Sequence, residues 1–184
     1  MIHVSCKKSV LRLFTALAIL AGLAQGSGAA GQRSISKPVS PASKNSWRGI
    51  TPLKSSAEDV GRVLGIEAGS AAGMVSGPFQ VEGGEVTFSY LTESLAKIYR
   101  APRSLVGKVF TIYFTPTRPV PVSDLKPAGF KRCSEEMDKG YYYLVSDAGL
   151  VYQLLRKSEE VETIIYQPTQ AEVRRLAVGA SCAF

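Results

Sequence analysis

Apolar and polar residues alternate with a period of two through the middle and the end of the chain, which is typical of half-buried β-strands. Short segments rich in Gly and Pro separate these runs and predict turns. The runs that we interpret as strands are MVSGPFQV, EVTFSYL, GKVFTIYFTP, GYYYLVS, GLVYQLLRK and EEVETIIYQP. Because their connections are short, the strands are expected to pair in antiparallel fashion.

Two segments change from strand-like alternation to the spacing of short amphipathic helices. In LKSSAEDVGRVLG, Ser55 and Glu58 have the spacing of a capping box, and Gly65 is placed to end the helix. In PTQAEVRRLA, Thr169 is the expected N-cap and Glu172 follows three residues later. The pattern therefore predicts an α+β domain, with an antiparallel sheet of about six strands and a short helix near each end.

The first part of the chain has the composition of an export signal rather than of a folded domain. Basic residues precede the apolar run LFTALAILAGLA, and small residues follow it. We interpret residues 1–26 as a cleaved signal peptide, with a retained membrane anchor as the alternative. Residues 27–45 are rich in Gly, Ser, Pro and Lys and predict a flexible linker, and residues 46–184 form the single domain. The protein is thus expected to be exported, periplasmic or secreted, without a stable membrane anchor after cleavage.

Three cysteines are present, and Cys6 lies within the predicted signal peptide. The remaining two, Cys133 and Cys182, would meet an oxidising compartment, where a pair of cysteines commonly forms a disulfide. Such a bond is expected to stabilise the fold by about 4 kcal/mol. The alternative is that both remain buried thiols.

Charge and residue types limit the chemistry of the domain. The chain carries 22 basic and 15 acidic side chains, a net charge of +7, but the basic residues are scattered rather than collected in a stripe. This does not indicate a nucleic-acid-binding protein. The one histidine, His3, lies in the predicted signal, so histidine-based catalysis and histidine-ligated metal sites are not expected. No cofactor and no metal are expected.

Two groups of carboxylates leave acid–base catalysis open by residue type. They are Glu135, Glu136 and Asp138, and Glu159, Glu160 and Glu162. Neighbouring carboxylates in turn-like runs usually point into solvent, whereas a glycosidase needs two that face each other across a cleft. We therefore interpret both groups as carboxylates that point into solvent.

Aromatic residues supply the candidate contacts with a partner. In a strand, Tyr141 and Tyr143 point to one side and Tyr142 to the other, so at least one ring is expected to face solvent. Trp47 either packs over the first helix or is an exposed anchor. Exposed aromatic side chains can stack on sugars or bind a protein partner.

The segment WRGITPLKSSAEDVGRVLG resembles the opening of the SmpA/OmlA-type outer-membrane assembly lipoproteins, a fold that secreted β-lactamase-inhibitor proteins also use. The residues that carry this resemblance are Gly49, Ile50, Ser55, Val60, Leu64 and Gly65. Most of the domain also resembles small exported bacterial proteins of unknown function that open with W-x-G-I-x-P-L. The residues that carry this second resemblance are Trp47, Gly49, Ile50, Pro52, Leu53, Tyr166, Pro168 and Cys182. The lipobox cysteine of the lipoproteins is missing here.

Taken together, export, small size and the lack of catalytic machinery predict a non-enzymatic interaction module of the envelope or the extracellular space. Its partner would be a protein or a cell-wall component, with Trp47, Tyr141 and Tyr143 as contact residues. Two alternatives remain, a carboxylate-dependent hydrolase of wall polysaccharide and a secreted enzyme inhibitor.

Overall fold

The computed structural model describes residues 45–67, 73–125, 129–133 and 140–177 of the 184-residue chain. All of these lie in the compact unit that runs from Pro38 to Ser181. The predicted signal peptide, nearly all of the predicted linker, and Cys182 lie outside the described residues. The carboxylates of Glu135, Glu136 and Asp138 lie outside them too.

The described chain forms strands with four short helices between or beside them. The strands are β1 (Val75–Val81), β2 (Gly84–Tyr90), β3 (Val109–Pro116), β4 (Val120–Pro121), β5 (Lys131–Cys133), β6 (Tyr141–Val145), β7 (Leu150–Leu155) and β8 (Glu160–Tyr166). The helices are α1 (Ala57–Leu64), α2 (Glu93–Ile98), α3 (Val122–Leu125) and α4 (Gln170–Ala177), and a 3-10 turn spans Arg103–Leu105.

The strands build one antiparallel sheet in the order β1-β2-β3-β8-β7-β6-β5, with β4 paired to the first residues of β8. The predicted α+β class with an antiparallel sheet is therefore confirmed. The sheet has eight strands rather than about six. The two additional strands, β4 and β5, contain only two and three residues. Segments of that length are too short to show an alternating pattern.

The core lies on one face of the sheet, where side chains from five neighbouring strands meet in register. Phe88 is opposite Ile112, which is opposite Tyr166, and Ile164 is opposite Tyr152 on the next strand. All of these residues are buried, and Val60 from α1 packs into the same cluster. The apolar positions of the alternating pattern thus lie on the face of the sheet that the core covers.

The W-R-G-I segment at the start of the domain is a tight turn. Trp47 and Ile50 exchange two backbone hydrogen bonds of 2.9 and 2.8 Å, and the two central residues, Arg48 and Gly49, both have positive φ, at 47° and 87°. Positive φ at both central positions defines a type I′ turn, which glycine favours. The turn brings Trp47 and Ile50 side by side into the core, so the segment is architectural.

The cap of α1 differs from the prediction by one residue. The N-cap is Ser56 rather than Ser55, and its partner is Asp59 rather than Glu58. The Asp59 carboxylate accepts a 2.8 Å hydrogen bond from the Ser56 backbone N–H, and this bond lowers the pKa of Asp59. Ser55 is used elsewhere: its hydroxyl accepts from the Thr51 N–H, and its backbone carbonyl accepts from the Val109 N–H.

The cap of α4 has the geometry of the capping box expected at that position. The Thr169 backbone N–H donates to the Glu172 carboxylate at 2.9 Å. In return, the Glu172 N–H donates to the Thr169 hydroxyl at 3.1 Å. Two backbone donors at the start of the helix are thereby satisfied.

Replacing Gly149 with alanine is expected to lower the free energy of unfolding by about 3 kcal/mol, from backbone strain together with a steric clash. Gly149 has φ of +86°, and an added Cβ would collide with the Gln167 carbonyl oxygen and lie 2.8 Å from Nδ2 of Asn45. Urea denaturation followed by circular dichroism measures the loss.

Gly107 is the matched control, since it has φ of +82° and nothing within 4 Å of an added Cβ. Gly107→Ala is expected to cost about 1 kcal/mol from strain alone. Equal losses in the two variants would show that close approach of the Gln167 backbone does not constrain Gly149.

Candidate functional site: a cationic recess beside the second helix

A surface recess of about 300 Å³ lies between α2 and the 3-10 turn. The charged side chains that line it are Glu93, Lys97, Arg100 and Arg103. The remaining lining comes from Ala96, Ala101 and Val106. The recess therefore combines three cations and one carboxylate with small apolar side chains.

One face of α2 forms a side of this recess. The helix starts at Thr92, whose hydroxyl accepts a 3.2 Å hydrogen bond from the Leu95 N–H. Glu93, Ala96 and Lys97 are three and four residues apart, the spacing that places side chains along one helix face, and all three line the recess. Because the residue in the middle of this face is an alanine, space remains between the charged side chains.

The end of α2 turns the chain back towards the recess. The Ala101 N–H donates to the Ala96 carbonyl at 2.8 Å, and the Arg100 N–H donates to the Lys97 carbonyl at 3.2 Å. These bonds define a Schellman motif in which Arg100 occupies the left-handed position, with φ of +52°. Glycine is the usual residue there, because other side chains strain the backbone. The turn brings Arg103 to the same recess as Lys97.

The segment that carries the recess is fastened to the sheet at both ends. The Leu91 N–H donates to the Lys108 carbonyl at 2.8 Å, and the Gly107 N–H donates to the Leu91 carbonyl at 2.9 Å. Between these ends, the ring of Tyr99 packs against Phe110 with centroids 5.3 Å apart. Burial raises the pKa of Tyr99. The recess is thus held on a fixed base at the junction of β2 and β3.

The charged groups of the recess are mostly hydrogen-bond donors. Lys97 and Arg103 are exposed, and neither forms an ion pair within the described structure. Lysine and arginine donate charge-assisted hydrogen bonds to carboxylates and phosphates. Glu93 is the single carboxylate among the residues that line the recess, and no nucleophile with an adjacent base is among them. Among described residues generally, no cluster of three or more His, Cys, Asp or Glu side chains could hold a metal ion.

The structure places the predicted tyrosine contacts away from this recess. Tyr142 is buried in the core, whereas Tyr141 and Tyr143 lie on the opposite face of β6. Tyr143 is 9% exposed and Tyr141 is half-buried, so both present little ring surface to a partner. In the order of the sheet, β8 and β7 separate β6 from β3, where the recess is anchored.

Trp47 lies in the core. Its side chain is 5% exposed and meets Phe88 edge-to-face, with ring centroids 5.8 Å apart. A second contact, with Phe114, has a centroid distance of 6.4 Å. Of the two interpretations of this residue, the packing role is the one that its burial supports, and an exposed anchor at Trp47 is excluded.

The second group of predicted carboxylates follows β7 and begins β8. Glu159 is exposed in the turn, with φ of +54°, and Glu160 and Glu162 flank the buried Val161 on the strand. The pairing of β8 with β7 shifts register between Thr163 and Val161, so Glu162 lies at an irregularity of the strand. The three carboxylates thus lie on one short segment of the chain rather than on two facing elements.

Cys133 is half-buried at the end of β5 and is the single described cysteine. No disulfide joins two described residues. Its predicted partner, Cys182, lies outside them, so the Cys133–Cys182 bond stays a prediction.

Sequence reasoning missed the recess, although a signal for it exists. Lys97, Arg100 and Arg103 follow one another at intervals of three residues, within a charge distribution that otherwise is scattered. Because α2 has only six residues, the segment shows too few turns for its helical period to stand out. The grouping of the three cations depends on the turn after the helix.

Comparison of the chain with protein-family models, with curated proteins and with solved structures gave no match. Among the described residues, no helix combines the length and the apolar character needed to cross a membrane.

Proposed function

We propose that this protein is an exported, non-enzymatic interaction module, and that it binds its partner through the cationic recess. The partner is a protein or a cell-wall component of the envelope or the extracellular space. The observation that carries the proposal is the composition of the recess, whose lining includes Lys97, Arg100 and Arg103 and a single carboxylate, that of Glu93. Such a site has donors for recognition but lacks the paired groups of a hydrolase.

Export rests on the sequence of the first 26 residues, with their basic start and apolar run. The disulfide between Cys133 and Cys182 belongs to the same proposal, because the compartment after export is oxidising.

The fixed base of the recess also supports a binding role. Hydrogen bonds between Leu91 and residues 107–108 hold its two ends on the sheet. A site that is already formed loses little conformational entropy when a ligand binds, and more of the interaction energy then appears as affinity.

Affinity capture with the full chain tests the proposal. The immobilised protein is incubated with envelope and secreted fractions of its host, and any retained component is purified and titrated back. We expect one saturable partner whose affinity falls at least about tenfold when Lys97 and Arg103 are both replaced by glutamine, since two charge-assisted hydrogen bonds are lost.

The matched control is the double variant Arg118→Gln with Lys157→Gln, which removes the same two charges from exposed positions outside the recess. This control is expected to bind within about twofold of the natural chain, apart from weak long-range effects. Hydrolysis of wall polysaccharide that is abolished by Glu93→Gln would overturn the proposal in favour of an enzyme.

A further inference from the structure

We draw no further inference here: the strongest candidate, the face of the sheet opposite the core around Tyr143 and Val151, with Cys133 at its β5 edge, carries no proposal because nothing among the described residues shows what covers it.

Discussion

Replacing Trp47 with alanine is expected to lower the free energy of unfolding by about 4 kcal/mol, because the change leaves a cavity in the core. The indole is 5% exposed and contacts the rings of Phe88 and Phe114. Aromatic pairs of this kind add stability beyond the apolar area that they bury. The loss is a large fraction of the 5–15 kcal/mol that is typical of a single domain.

Urea denaturation followed by circular dichroism measures this loss, since the variant removes the single tryptophan and with it the fluorescence probe. Trp47→Phe keeps an aromatic ring in the same place and is expected to cost about half as much. Ile98→Ala is the exposed control, at 64% exposure, and is expected to change stability by less than about 0.5 kcal/mol. A loss below about 1 kcal/mol for Trp47→Ala would contradict the core position of the indole.

The second large effect is unfolding at alkaline pH. Burial raises the pKa of Tyr90 to about 12, and it raises the pKa of Tyr113 and Tyr166 above the ordinary value near 10. Below about pH 10 these hydroxyls are protonated in both the folded and the unfolded protein, so ionisation of the tyrosines does not lower the free energy of unfolding. Above that pH the unfolded chain releases the protons and the folded chain keeps them, so stability falls.

For these three tyrosines together, the free energy of unfolding is expected to fall by about 4 kcal/mol per pH unit above about pH 10. Absorbance at 295 nm reports tyrosine ionisation, and circular dichroism reports the fold. We expect a cooperative rise in absorbance above about pH 11 that coincides with loss of the sheet signal. Gradual ionisation of all eight tyrosines near pH 10, with the sheet signal intact, would contradict the burial of these hydroxyls.

Tyr90→Phe is the matched variant for this experiment. The Tyr90 hydroxyl is buried and has no hydrogen-bond partner among the described residues, so its removal is not expected to destabilise the protein at neutral pH. Above about pH 10 the same variant is expected to lose stability less steeply than the natural chain, by about 1.4 kcal/mol per pH unit. Identical alkaline profiles would show that Tyr90 does not contribute to the transition.

Both effects bear on the proposed binding site, because the recess depends on the sheet beneath it. The Leu91–Lys108 and Gly107–Leu91 hydrogen bonds place the recess at the ends of β2 and β3. Phe88 and Phe114, the ring partners of Trp47, lie on these two strands. Loss of core packing is therefore expected to weaken ligand binding as well as stability. A binding study of the recess variants consequently requires each variant to be shown folded first.

The sequence by itself determined the class of the fold and the positions of its six longer strands. Strand alternation is a local pattern, since each buried side chain on a half-covered sheet is followed by an exposed one. The capping box at Thr169 and Glu172 was likewise readable, because its two hydrogen bonds join residues only three positions apart. The sequence also provided the predictions about export and about the Cys133–Cys182 disulfide, and both stay predictions because residues 1–44 and Cys182 lie outside the described residues.

Only the tertiary structure decided which serine caps α1, where Trp47 lies and which basic residues line one recess. Ser55 and Ser56 both precede suitable acidic residues, and the backbone hydrogen bond from Val109 to Ser55 settles the choice in favour of Ser56. Trp47 could lie in the core or on the surface until its turn was placed against Phe88. Lys97 and Arg103 line the same recess because the chain reverses at Arg100 and is held to the sheet at both ends. In each case the deciding contact joins segments that propensity and periodicity treat separately, so no local pattern in the sequence specifies it.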